Sequence, residues 1–82
     1  MDFIARTPKQ IAAIIQRQRR NSNLTQRALG EKIKLRQATV SKLEAGEAVR
    51  LGTLLDVLAA LNLEMVIRPR TKGSPEDIEA IF

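Results

Sequence analysis

Apolar residues recur with a helical period along most of the chain, and the polar residues between them mark where each helix starts and stops. Ile11, Ile14 and Ile15 define the first stripe, with Ala12 and Ala13 between them. Thr7-Pro8-Lys9-Gln10 reads as its start: Thr7 as N-cap, Pro8 at the first helical position, and Gln10 completing a capping box. Arg17, Arg19 and Arg20 close it, where cations favour the negative end of the helix dipole, and Asn21-Ser22-Asn23 breaks it. A second helix begins with Thr25 as N-cap and turns Ala28, Leu29 and Ile33 inward. A short turn at Lys34-Leu35 leads to a third, from about Arg36 to Ala45, with Val40 and Leu43 facing in and Gly46 as the C-cap glycine. A fourth runs from about Leu51 to Asn62, with Leu51, Leu54, Leu55, Leu58 and Leu61 as its stripe.

The period then changes. Leu63-Glu64-Met65-Val66-Ile67-Arg68 alternates in the manner of a strand, and Pro69 ends it. A lone strand leaves its backbone groups unpaired, so it needs a partner. Two are available: Phe3–Ala5 of the same chain, or the same strand of a second copy. Antiparallel twofold pairing centred on Val66 sets Glu64 opposite Arg68, a favourable cross-strand pair. Met65, Val66 and Ile67 are therefore the expected dimerisation residues, and a homodimer is expected. Residues 70–82 read as a flexible acidic tail. Within it Ser74-Pro75-Glu76-Asp77 can start one helical turn carrying Ile78, Ile81 and Phe82. No internal repeat is visible.

Charge sharpens this picture. The net charge is +5, but all 14 basic residues lie in residues 1–72 with six acidic ones, while Glu76, Asp77 and Glu79 make the end negative. A basic body suits a polyanion such as DNA. The chain has 82 residues, enough for one modest core in residues 1–69 and little room for a catalytic cleft. It has no Cys and no His, which excludes disulfides, thiolate zinc sites and His-based acid–base chemistry. Clustered carboxylates and a glycine-rich phosphate loop are also missing, so no enzyme, metal or cofactor is expected. Aromatic residues are limited to Phe3 and Phe82, too few for a base-stacking platform. No apolar run is long enough to span a membrane, and a cytoplasmic, nucleoid-associated protein is expected.

Two short helices joined by a three- or four-residue turn form a helix-turn-helix unit, whose second helix enters the major groove by its N-terminal end. The elbow needs a small residue where the helices touch, and Gly30 supplies it. The exposed face of the second helix must be polar, and Arg36, Gln37, Thr39, Ser41 and Lys42 make it so. Leu24-Thr25-Gln26, Leu29-Gly30 and Thr39-Val40-Ser41-Lys42-Leu43-Glu44-Ala45-Gly46 together resemble the phage-repressor (Xre-type) helix-turn-helix family, over roughly Ile11 to Leu61. Thr7-Pro8, Arg36-Gln37-Ala38-Thr39-Val40-Ser41 and the strand after the fourth helix resemble, more narrowly, the HipB-like antitoxins, partners of HipA-like serine/threonine kinase toxins. The fold expected is all-α: a four- to five-helix repressor-like domain with one short C-terminal β-strand that pairs across a dimer. Two positions depart from the family. Its turn glycine is Lys34 here, and its elbow alanine is Gly30. A left-handed Lys34 costs on the order of 1 kcal/mol relative to glycine.

The resemblance implies double-stranded operator DNA as partner, and Gln26, Arg36, Gln37, Ala38, Thr39, Ser41 and Lys42 as the residues that touch it. It sets Gln26 against a phosphate. An amide such as that of Gln37 can read adenine through N6 and N7, Arg36 can read guanine or hold phosphate, and Ala38 can meet a thymine methyl. Ser41 and Lys42, one turn on, can reach a base edge or the backbone. Glu44, which DNA would repel, is expected to anchor structure by pairing with Arg20 or Arg17. For Arg17, Arg19 and Arg20, a phosphate contact and a solvated helix end stand equal. Dimers of this kind read half-sites about 34 Å apart. The function implied is a sequence-specific repressor that acts as antitoxin of a HipA-like kinase toxin, regulates its own operon and neutralises the toxin by binding. Ile78, Ile81 and Phe82 would then be the toxin-binding anchor of the tail. A stand-alone phage-type regulator shares every feature of residues 1–62. A protein-interaction module that has lost DNA binding is the reading from another class.

Overall fold

The computed structural model describes residues 2–70. The acidic tail beyond them, with the expected anchor Ile78, Ile81 and Phe82, lies outside the described residues. Four helices follow one another: α1 (Pro8–Asn21), α2 (Gln26–Lys32), α3 (Gln37–Glu44) and α4 (Leu51–Ala60). Both predicted hydroxyl caps are formed. Thr7 Oγ1 accepts from the Gln10 N–H at 3.1 Å, and Thr25 Oγ1 from the Ala28 N–H at 3.0 Å. The return arm of the first capping box lands one residue early, since Gln10 Oε1 accepts from the Arg6 N–H at 2.6 Å. α3 and α4 start on Arg36 and Arg50, neither of which caps with its side chain.

All four helices end in the same way. A residue with positive φ reverses the chain, and the next N–H reaches back to the carbonyl three residues before the helix's last-turn cap. The reversing residues are Asn23, Lys34, Gly46 and Asn62, with φ of 57°, 58°, 79° and 57°. The closing bonds run from Leu24 to Arg19, Leu35 to Gly30, Glu47 to Lys42 and Leu63 to Leu58, at 3.2, 2.7, 3.0 and 2.8 Å. Gly46 is the glycine expected at such a site, and asparagine tolerates it. Lys34 is the outlier, and it does adopt the left-handed conformation.

Ile15, Leu29, Val40, Leu43, Val57, Leu58 and Leu61 form one buried cluster to which every helix contributes. Two expectations for α4 are corrected. Its buried face is Leu54, Val57, Leu58 and Leu61, at i, i+3, i+4 and i+7, whereas Leu51 and Leu55 lie on the flank at 62% and 41% exposure. The helix also stops at Ala60, because Leu61 and Asn62 form the reversal.

The expected strand is not formed within the single chain. Among the described residues Leu63–Arg70 has no strand, and after Leu63 no backbone hydrogen bond joins it to another segment. Extended backbone becomes a strand only through a ladder, and the described residues supply none. Phe3–Ala5, the intrachain candidate, lies across an open groove of about 650 Å³ that it lines together with Leu63–Arg70. An ion pair from Arg68 Nη1 to Asp2 Oδ2, at 3.9 Å, joins Leu63–Arg70 to the N-terminal arm. Met65, Val66 and Ile67 are left 43%, 70% and 92% exposed.

Candidate nucleic-acid interface

The angle between α2 and α3 rests on Gly30. A Cβ built there would stand 2.6 Å from the Leu35 carbonyl oxygen, far inside contact distance. The same glycine's carbonyl accepts from the Ile33 and Leu35 N–H groups at 3.2 and 2.7 Å, so it is both closure point and elbow. The turn closed by left-handed Lys34 brings the Leu35 carbonyl against residue 30, where even an alanine methyl does not fit.

With the angle set, α3 divides cleanly. Val40 and Leu43 are buried. Gln37, Ala38, Ser41 and Lys42 are exposed, as is Arg36 before them, and Thr39 is half-buried. Residues 37 and 41, and 38 and 42, are four apart, so these side chains cover one face. Thr39 and Lys42 also border a shallow concavity of about 460 Å³ shared with Val49, Arg50 and Thr53. Arg50 was absent from the sequence-based set. A cation directly before the predicted start of the fourth helix is the signal that could have found it.

Behind α3 lies a buried ion pair. Arg19 Nε donates to Glu44 Oε2 at 2.6 Å, and its Nη2 donates to Glu44 Oε1 at 2.9 Å. Its remaining terminal nitrogen, Nη1, donates to the Leu24 carbonyl at 2.7 Å. The two side chains are 10% and 2% exposed. The hydrogen bond to Glu44 raises the Arg19 pKa above the ordinary guanidinium value; burial opposes it and the Coulombic attraction adds to it. Glu44 therefore anchors structure as expected, but through Arg19 rather than Arg20 or Arg17. The reason is the helical phase of α1. Ala12, Ile15 and Arg19 share its buried face, while Arg17 and Arg20 point to solvent. Arg19 is accordingly not a surface cation at a helix end.

Gln26, the expected phosphate contact, joins this network. It is half-buried, and its Nε2 donates to Glu44 Oε1 at 3.3 Å. Among the described residues no group of three or more Asp, Glu, His or Cys could hold a metal, and no helix is long and apolar enough to cross a membrane.

A basic domain whose short α3 is braced from behind and polar in front is the architecture of a helix-turn-helix DNA-binding regulator. Residues 15–67, well over half of the chain, match the Helix-turn-helix family, and the protein belongs to it. Within that class it is HipB-like. It is similar to the HipB–O4 20mer complex at 29% identity and a TM-score of 0.77, over 83% of this chain and 97% of that one. HipB in the HipA–HipB–O2–O3 complex matches at 29% identity and 0.76, over 83% and 97%. HipB in its O1–O2 complex matches at 30% identity and 0.74, over 80% and 97%. No curated protein sequence matches the chain.

Proposed function

We propose that the protein is a homodimeric, sequence-specific repressor of its own operon and the antitoxin of a HipA-like kinase. The observation that carries the DNA part is the solvent face of α3: Gln37, Ala38, Ser41 and Lys42 exposed in one array, over Val40 and Leu43 buried beneath. In this reading Gln37 reads adenine, Arg36 reads guanine or grips phosphate, and Ala38 meets a thymine methyl, with Thr39, Ser41 and Lys42 completing the contact. The array is neither catalytic nor built around a cofactor; binding alone does the work, in the cytoplasm.

The dimer part rests on exposure. Met65, Val66 and Ile67 form an unpaired, largely apolar segment, which a second copy would cover while completing the missing ladder. Two copies of α3 would then face successive turns of one duplex. The antitoxin part rests on similarity over nearly the whole of HipB, a protein that forms a complex with HipA.

Three measurements test the three parts. In a mobility-shift assay the protein should shift a duplex of its own promoter, and the affinity should fall steeply as salt rises, because neutralised phosphates release counterions. In sedimentation it should run as a dimer at micromolar concentration, and Val66→Asp should run as a monomer. A kinase-like protein should co-purify from the native host. A specific shift without a co-purifying kinase would leave a stand-alone regulator. No shift with a stable protein complex would leave an interaction module.

A further inference from the structure

The buried ion pair ends on a residue that the DNA reading needs. The Glu44 carboxylate receives Arg19 Nε at 2.6 Å, Arg19 Nη2 at 2.9 Å and Gln26 Nε2 at 3.3 Å. Arg19 is held in turn by the Leu24 carbonyl at 2.7 Å, on the loop that leads into α2. The chain of contacts therefore runs from α1 through the end of α3 to the first residue of α2.

A primary amide carries two N–H bonds. In Gln26 one points at Glu44, which fixes the plane of the amide and leaves the second N–H with a defined direction. The Glu44 charge, which would repel a phosphate, is neutralised by Arg19 and almost wholly covered. We infer that the Arg19–Glu44 pair is a positioning device: it holds the Gln26 amide in the orientation in which its second N–H meets a DNA phosphate. The inference rests on the DNA-binding reading above. It makes Arg19 and Glu44 determinants of affinity though neither touches DNA. An amide oriented before binding has no rotamer freedom left to lose, which is worth about a 2- to 10-fold gain in affinity.

Two experiments on the full chain test this. Side-chain amide NMR needs no substitution. The Nε2 group of Gln26 should be ordered in the free protein, with two widely separated proton shifts, while that of exposed Gln37 should be mobile. Adding a short random-sequence DNA duplex at low salt should shift one Gln26 proton strongly and the other weakly. A Gln26 amide as mobile as that of Gln37 would overturn the inference.

The second experiment is a binding cycle on the same duplex. Gln26→Met removes the phosphate contact together with its orientation and should lower affinity by more than about 2- to 10-fold. The paired replacement Arg19→Met with Glu44→Leu removes the tether while leaving no buried charge, and should lower affinity by that roughly 2- to 10-fold orientation effect alone. Adding Gln26→Met to it should then cost less than Gln26→Met costs in the parent, because the orientation has already been lost. Independent, multiplying losses would mean that the pair does not position Gln26. If the paired replacement fails to fold, the amide spectrum of the unsubstituted protein decides. Wild-type protein that binds no duplex would sink the DNA reading itself. Wild-type binding that Gln26→Met leaves unchanged would sink this inference alone.

Discussion

Replacing Gly30 by alanine adds one methyl group at the most crowded point of the helix-turn-helix. The new Cβ would lie 2.6 Å from the Leu35 carbonyl oxygen, 3.4 Å from its carbon and 3.5 Å from the Arg36 carbonyl carbon. Carbon–oxygen contacts settle at about 3.3–3.6 Å, so the Leu35 carbonyl has to retreat by roughly 0.7 Å or more. It is backbone and has no rotamer to absorb the shift. Retreat would also strain the 2.7 Å bond from the Leu35 N–H to the Gly30 carbonyl, which closes the turn. Overpacking of this kind costs about 1–3 kcal/mol, and alanine recovers about 1 kcal/mol through its better helix propensity. The net expectation is a loss of up to about 2 kcal/mol, a fall in Tm of up to roughly 15 °C for a domain of this size. Gly52 is the internal control. It lies in the first turn of α4, with nothing within 4 Å of a Cβ. There Gly52→Ala should stabilise by about 0.4–1 kcal/mol, through a less flexible unfolded chain. Urea and thermal melts followed by far-UV circular dichroism, at one protomer concentration, give both numbers. A Gly30→Ala variant more stable than the parent by about 1 kcal/mol, the gain helix propensity gives where there is no clash, would refute the tight elbow, and with it the account of why this chain has glycine there.

Other expectations concern the turn, the ion pair and the reading face. Lys34→Gly relieves a left-handed lysine at φ 58° and should stabilise by on the order of 1 kcal/mol in the same melts, less the entropy that glycine returns to the unfolded chain; a loss of stability would mean that the lysine stem packs usefully. Glu44→Ala leaves a buried guanidinium without its carboxylate and should cost about 3–5 kcal/mol, whereas breaking the exposed Arg27–Glu31 pair with Glu31→Ala should cost less than about 0.5 kcal/mol. Gln37→Ala should weaken binding to the preferred duplex by about 1–3 kcal/mol and leave random-sequence binding unchanged; equal losses on both would move Gln37 from base to backbone contact.

Much of this protein is legible in the order of its residues. The hydroxyls of Thr7 and Thr25 cap the helices they precede, because a cap is a contact between residues three apart in the chain. Gly46 reverses the chain after α3 for an equally local reason, the absence of a Cβ. The inward Val40 and Leu43 and the outward polar set of α3 follow from helical period alone. Periodicity also carries the role of Arg19, which falls in phase with Ala12 and Ile15, and a charge on a buried stripe demands a partner.

What tertiary structure decided depends on atoms far apart in the chain. Arg19 and Glu44 are 25 residues apart, and nothing local selects Arg19 over Arg17 or Arg20 as the partner. The flank of α4 that leaves Leu51 and Leu55 in solvent is set by where α1 and α2 leave room, since five leucines in register offer more apolar width than one core can cover. Gly30 is tight because the Leu35 carbonyl stands against it, a contact that appears only once the turn between the two helices is closed. The strand read from the alternation at Leu63–Arg68 has its residues but lacks its ladder. A strand belongs to a pair, and one chain cannot dictate by sequence alone which second backbone completes it.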